Sequence, residues 1–418
     1  MLDNMEEKSP GIQELENLGV NFKRLAKPTK ENEAQQILAQ AFKEKMKVLP
    51  CGGGTSLGAG VLPESVDLVL DMTGMNRVLD FDSRNLNLAV LGGISIKAIN
   101  EYLASQEKGF FLPLDPPLAD RATIGGIYAA NGSGPSRLRY GTVRDQALGV
   151  RGADARGREV GFGGKTVKNV SGYDVTKFLI GSAGSLCLIT SISFRVYPLP
   201  EASSLCELRF DNVPSLDKFL AALRSSILLP SAVVITFPPG GDSAPAFRGV
   251  IGFEGHGQAV ERQNKDLLHL AESFGDKGES RLGRDPMLKI LQSTIDPEET
   301  APDLLSIKIS VPIAGGLRTL ESIRKLGAES SLSLKSALLA GNGIIFVHAR
   351  PSNQDSAFRL IAGLKEIVQS ADGYLTPIRA HRNLLVKWGS RVEPALHRFV
   401  LQPIKEKLDP TGVFPPLL

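Results

Sequence analysis

The chain has 418 residues, 42% hydrophobic and 22% charged, with 48 basic and 45 acidic side chains and a net charge of +3. That length implies two or three domains of about 100–200 residues, and the even charge gives no footing to a nucleic-acid or membrane-surface partner. Cys51, Cys187 and Cys206 make no zinc or iron–sulfur spacing, which fits a reducing cytosol, and no run, not even Phe178 to Ile189, reaches the roughly 18–20 apolar residues of a membrane span.

In chain order, the polar and acidic start Met1–Pro10 predicts no signal peptide. Thr29 is expected to cap a helix whose stripe is Ala34, Ile37, Leu38, Ala41 and Phe42. Residues 47–50 read as a strand, followed by the loop Cys51-Gly52-Gly53-Gly54-Thr55-Ser56-Leu57-Gly58-Ala59-Gly60. Strands follow at 66–71, 77–81 and 86–91, and Ser95 caps a helix with Ile96, Ile99 and Leu103 inward. Pro198 and Pro200 mark a boundary. Beyond it the pattern β-α-β-β-α is written twice: strand 205–210, helix 214–224, strands 232–237 and 249–253, helix 259–273; then strand 305–311, helix 317–326, strands 336–340 and 344–349, helix 357–369. Residues 275–302 read as a polar connection, and a helix near 393–408 precedes Asp409-Pro410-Thr411-Gly412-Val413-Phe414. The repeat predicts an antiparallel sheet with helices on one face.

Glycine is concentrated where the loops are. Of 43 glycines, 23 lie between Pro50 and Pro200, a density that suits positive φ or backbone brought close to a ligand. Consecutive N–H groups from Gly52 to Ser56 form an anion nest without side-chain charge, and a pyrophosphate is the natural guest. The loop is neither a Rossmann fingerprint nor a Walker loop: Glu159 stands where Gly164-Lys165-Thr166 would need its first glycine. A second cluster holds Asp115-Pro116, Ala122-Thr123-Ile124-Gly125-Gly126 and Asn131-Gly132-Ser133-Gly134. A third holds Asn169-Val170-Ser171-Gly172-Tyr173-Asp174 and Gly181-Ser182-Ala183-Gly184-Ser185-Leu186-Cys187-Leu188-Ile189. Three such loops suit a long cofactor lying across one domain.

These motifs, in this order, resemble the PCMH-type FAD-binding domain of the vanillyl-alcohol-oxidase class, and more narrowly the E-subunit family of bacterial glycolate oxidases. The resemblance covers about residues 28–200 and implies an α+β fold. It places an FAD-binding domain of two α+β subdomains at 1–200, an antiparallel cap domain of two βαββα halves at 201–378, and a returning tail at 379–418. It further implies that Gly52, Gly53, Gly54, Thr55 and Ser56 hold the pyrophosphate, and that Asp115 and Pro116 lie near the flavin. Thr123, Gly125 and Gly126 would approach the diphosphate and ribose, Asn131 and Ser133 would contact the cofactor, and Gly184 and Ile189 would line the adenine end. Thr55 stands where histidyl-linked relatives carry their attaching His, so non-covalent FAD is expected.

Oxidising a 2-hydroxy acid on a flavin needs a base for the hydroxyl and a cation for the carboxylate. The five histidines, His256, His269, His348, His381 and His397, form no His-x-His pair, and no metal is expected. His381 and Lys177 are the candidates for catalysis; Lys165 and Lys168, and the basic run Arg137, Arg139 and Arg144, are weighed as surface groups. The resemblance implies an FAD-binding subunit in a complex with a second FAD-binding catalytic subunit and an iron–sulfur subunit, cytoplasmic and attached to a membrane through those partners. A self-sufficient FAD dehydrogenase with a metal-free site, and a flavin-free scaffold, remain as alternatives.

Overall fold

The computed structural model describes residues 8–164, 174–237, 246–274, 278–298, 301–388 and 397–417. Lys165, Lys168 and the Asn169–Tyr173 motif lie outside the described residues, as does the side chain of His397. The chain divides into two compact units, one of Met1–Ser133, Thr142–Leu199 and Ile378–Leu418, the other of Gly134–Gly141 and Pro200–Pro377. Among the described residues no helix is long and apolar enough to cross a membrane.

The first unit opens with a parallel sheet of β1 (Asn21–Ala26), β2 (Val48–Cys51) and β3 (Ser65–Asp71), ordered β1-β3-β2. The helix Glu31–Lys43 buries Ala34, Leu38 and Ala41 against Val48, Leu68 and Leu70, the four- and three-residue spacing of one helix face. Its N-cap is Lys30, not Thr29; the Thr29 N–H and Oγ1 both donate to Glu33 Oε2, at 2.8 and 3.0 Å. Downstream come β4 (Val78–Asp82), β5 (Asn87–Leu91), β6 (Phe110–Phe111), β7 (Ala147–Ala153), β8 (Glu159–Gly163), β9 (Leu188–Arg195) and β10 (Tyr197–Pro198). Strands β4-β5-β9-β7-β8 make a five-stranded antiparallel sheet, and β6 pairs with β10. Ser95 Oγ accepts the Ala98 N–H at 3.1 Å and caps the helix Ile96–Ala104, which buries Ile96, Ile99 and Leu103 on this sheet's core.

The second unit is one eight-stranded sheet made of β11 (Ala202–Phe210), β12 (Ala232–Thr236), β13 (Phe247–Gly255), β14 (Glu279–Leu282), β15 (Leu305–Ser310), β16 (Leu334–Leu339), β17 (Ile344–Ala349) and β18 (Tyr374–Arg379). Its order is β14-β11-β13-β12-β16-β17-β15-β18. Each half is a βαββαβ unit whose fourth strand lies outside its first, and the halves join antiparallel at β12 and β16, with Val234 opposite Leu339. The predicted βαββα repeat therefore gains a closing strand in each half. The stretch read as a connection carries β14 and the helix Arg284–Ile295, which buries Met287, Leu291, Thr294 and Ile295.

Candidate functional site

The loop after β2 is shaped by contact more than by turn geometry. Only Gly54 takes a left-handed conformation, φ +73°. A Cβ on Gly53 would stand 1.8 Å from the Arg121 carbonyl oxygen, and one on Gly52 would stand 2.1 Å from Thr123 Oγ1. The glycine loop thus lies backbone to backbone on the Arg121–Thr123 segment, and any side chain would force them apart. Gly11, on the first helix Pro10–Asn17, closes the other side: its own Cβ would meet the Gly52 carbonyl oxygen at 1.9 Å.

A second close approach sits beside the first. Gly125 N–H donates to the Gly92 carbonyl at 2.7 Å, and Gly92 N–H donates to the Thr190 carbonyl at 2.7 Å. A Cβ on Gly125 would meet Gly92 O at 2.8 Å, and a Cβ on Gly92 would meet Ile189 O at 2.8 Å. β9 bulges at this point, since Arg151 faces Ser191 while Gly152 faces Ile189. The extra residue, Thr190, donates its hydroxyl to Glu31 at 2.6 Å.

Between these contacts runs a cleft of about 120 Å³, open to solvent. Its walls include Gly52, Gly53, Gly54, Thr55 and Ser56, then Thr123, Gly125 and Gly126, then Gly184 and Ile189. Sequence reasoning passed over Gly92, Ala129, Ala130, Ala183 and Cys187, which also line it. No lining side chain is charged. Among the described residues, none of the five amide N–H groups from Gly52 to Ser56 donates a hydrogen bond within the chain. Five adjacent donors without a partner are costly to bury and suited to an anion. The donor set fits a pyrophosphate held by backbone alone.

Not every expected residue joins the cleft. Asp115, Pro116, Asn131 and Ser133 lie outside its lining. Pro116 packs by its Cβ near Gly132, Asn131 ends the helix Ile124–Ala130 with φ +52°, and Ser133 is buried with Oγ unpaired. Lys177 pairs with Asp174 at 2.9 Å. His381 lies against Gly19, accepting the Asn383 N–H at 3.3 Å, and burial followed by the neighbouring Arg382 charge lowers its pKa. Neither lines the cleft. His348 is a satisfied interior histidine, with Nδ1 2.9 Å from Ser306 Oγ and Nε2 2.7 Å from the Ile295 carbonyl; burial pushes it down to about 4.

Two other groups went unread in the sequence. Behind the glycine loop, Arg379 and Glu14 form a buried ion pair, and Gly58 packs on the Ile378–Arg379 peptide. In the second unit, Lys308 on β15 is half-buried; burial first, and then the Arg137 charge, bring it down to about 8. The same unit ties the Arg137–Tyr140 turn to the sheet, where Tyr140 donates to the buried Glu254 at 2.9 Å.

Residues 22–176 match the family model described as FAD binding domain. The chain is 30% identical over 206 residues to the glycolate oxidase subunit GlcD of Bacillus subtilis (49% of this chain, 43% of that protein). It is 36% identical over 176 residues to a D-lactate dehydrogenase of Archaeoglobus fulgidus (42% of this chain, 38% of that protein). It thus spans about two-fifths of the length of these relatives. Among solved structures, glucooligosaccharide oxidase from Acremonium strictum, described with a 6-S-cysteinyl, 8α-N1-histidyl FAD, superposes with a TM-score of 0.73 at 14% identity, over 100% of this chain and 96% of that one. The fold is thus the one shared with this solved structure, and most of the cleft's lining lies inside residues 22–176, the stretch that matches the FAD binding domain model.

Proposed function

We propose that this chain is an FAD-dependent dehydrogenase of 2-hydroxy acids, acting as the FAD-binding subunit of a glycolate-oxidase-like complex. Its partners on this reading are a second FAD-binding catalytic subunit and an iron–sulfur subunit, in the cytoplasm and held at a membrane through them. The observation that carries the reading is the uncharged, glycine-lined cleft in a stretch similar to a glycolate oxidase subunit and a D-lactate dehydrogenase. When bound, FAD supplies the hydride acceptor; the chain's own residues hold and orient it. Gly52 to Ser56 donate backbone N–H groups to its pyrophosphate, and the Thr123–Gly126 and Ala183–Ile189 segments wall the rest. Asp115 and Pro116 lie near the flavin on this reading, and Asn131 and Ser133 contact the cofactor from the following loop. Residues 1–200 with the tail 379–418 form the FAD domain, and 201–378 the cap.

A second reading has the chain oxidise its substrate alone. Lys308 favours it, because a half-buried ammonium beside Arg137 is the kind of anchor a carboxylate needs. Anaerobic addition of glycolate, D-lactate or D-2-hydroxyglutarate to the holo chain separates the two. Under the subunit reading the flavin keeps its visible absorbance until the partner subunits are added. Bleaching by the isolated chain selects the second reading, and absence of bleaching with partners present refutes both.

We propose that the FAD is not covalently attached. Thr55, a poor nucleophile, lines the cleft, and its two cysteines are held as thiols. Burial pushes Cys187 up to about 12, and burial with the Asp71 and Glu14 charges pushes Cys51 higher still; the thiolate, not the thiol, attacks. Acid precipitation of the holo protein is expected to leave the yellow colour in the supernatant. Colour that stays with the pellet overturns this.

A further inference from the structure

We propose that the C-terminal tail is a latch on the FAD cleft, closed by Lys405. The inference rests on the cleft being the FAD site, and concerns residues outside its lining. Lys405 is a positioning residue here and touches no cofactor.

Lys405, on the helix Gln402–Leu408, is 7% exposed. A buried ammonium is tolerated only when its donors are matched. Its Nζ donates to Asp409 Oδ2 at 2.6 Å, to the Ser185 carbonyl at 2.6 Å and to the Pro415 carbonyl at 3.0 Å, with the Phe414 carbonyl at 3.3 Å. Asp409, also buried, accepts the Val413 N–H at 2.7 Å and the Phe414 N–H at 2.9 Å. The Asp-Pro-Thr-Gly-Val-Phe turn is thus wound around one carboxylate, and the lysine ties that carboxylate to a loop more than two hundred residues away.

Both attachments of the tail lead to the cleft. Ser185 follows Gly184, and Ala183 N–H donates to the Ala129 carbonyl at 2.9 Å; Ala183, Gly184 and Ala129 all line the cleft. On the other side, Val48 N–H donates to the Val413 carbonyl at 2.7 Å, and Lys47 Nζ donates to the Gly412 carbonyl at 2.6 Å. Val48 begins β2, which runs directly into the Gly52–Ser56 loop. The tail therefore grips the outer ends of the two segments that a dinucleotide would grip from within. Linkage makes the effect reciprocal: a closed latch favours bound FAD, and bound FAD favours the closed latch by the same factor.

The test uses the full chain loaded with FAD. Lys405→Met is expected to speed flavin release, read as recovery of flavin fluorescence, by about tenfold, the scale of losing charged hydrogen bonds. Lys47→Met, which leaves the buried pair intact, is expected to speed release by about threefold. In the unaltered chain, the Val413 and Phe414 amides are expected to exchange hydrogen about tenfold more slowly with FAD than without it. Lys405→Arg is expected to recover part of the loss, which a purely packing role would not show. If FAD binds and Lys47→Met releases it at the unaltered rate while tail exchange ignores FAD, the latch is wrong. A chain that takes up no FAD at all refutes the cleft assignment instead.

Discussion

Gly126→Val is expected to give a chain that folds and binds no FAD, whereas Gly53→Val is expected to give little folded chain at all. The two glycines stand on opposite sides of the same question. At Gly53 the new Cβ would lie 1.8 Å from a backbone oxygen. Relieving that overlap means separating the two segments that build the cleft, at a cost of about 1–3 kcal/mol or more. At Gly126, among the described residues and apart from its chain neighbours and its own helix backbone, the only atom within 4 Å of a new Cβ is Thr123 Oγ1, at 3.1 Å, and the residue is exposed on the cleft wall. A side chain there enters the space of the ligand, not of the protein. Gly126 also lies inside the helix Ile124–Ala130, so Gly126→Ala should stabilise the flavin-free chain by about 0.5–1 kcal/mol while weakening FAD binding. Opposite signs in thermal unfolding of the empty chain and in flavin content are the signature. Normal flavin content in Gly126→Val shows that the second loop does not approach the cofactor.

The same pair shows what the sequence disclosed and what it hid. The three glycine loops, their order and the identity of Gly52 to Gly54 were legible because glycine is rare enough to stand out. The reason for each was not. Positive φ or close approach to a ligand was the expected demand; Gly54, Gly181 and Gly184 are left-handed, yet Gly53 and Gly126 have ordinary φ, and close approach between distant segments of the chain itself leaves no local mark. The helix Arg284–Ile295 escaped because Gly283 and Pro286 look like loop, although proline is compatible with a first helical turn. β14 is exposed along its whole length and carries no alternation. β18 holds Pro377, which fits its place at the sheet's edge. Asp115, Pro116, Asn131 and Ser133 were carried over from a motif and lie outside the cleft's lining, whereas the alanines and Cys187 that join the predicted glycines there carry no local mark.

Lys308 escaped notice for a related reason, and it yields the second large effect. In Ser306-Ile307-Lys308-Ile309-Ser310 a lysine between two isoleucines reads as the solvent side of an alternating strand. Lys308 is instead half-buried, beside the Arg137 charge. On the second reading, in which the chain oxidises its substrate alone, Lys308→Met is expected to raise KM for the 2-hydroxy acid by about tenfold to a hundredfold, the loss of one charge-assisted hydrogen bond. FAD content should not change, since the residue belongs to the other unit. The pH dependence has a definite sign. Burial and Arg137 lower this ammonium from its usual value to about 8, so it is charged below that pH and neutral above. KM for a carboxylate should therefore climb about tenfold per unit above pH ~8, and the climb should vanish in Lys308→Met. Folding linkage runs the other way. Between about 8 and the usual lysine value the unfolded chain holds the extra proton, so this group's contribution makes the chain more stable as pH rises. Affinity for the acid falling across that window while the melting temperature holds or rises would separate loss of an anchor from loss of structure. A KM that is flat through the window, with the same turnover in Lys308→Met as in the unaltered chain, would remove the carboxylate anchor from this chain and leave substrate binding to a partner subunit.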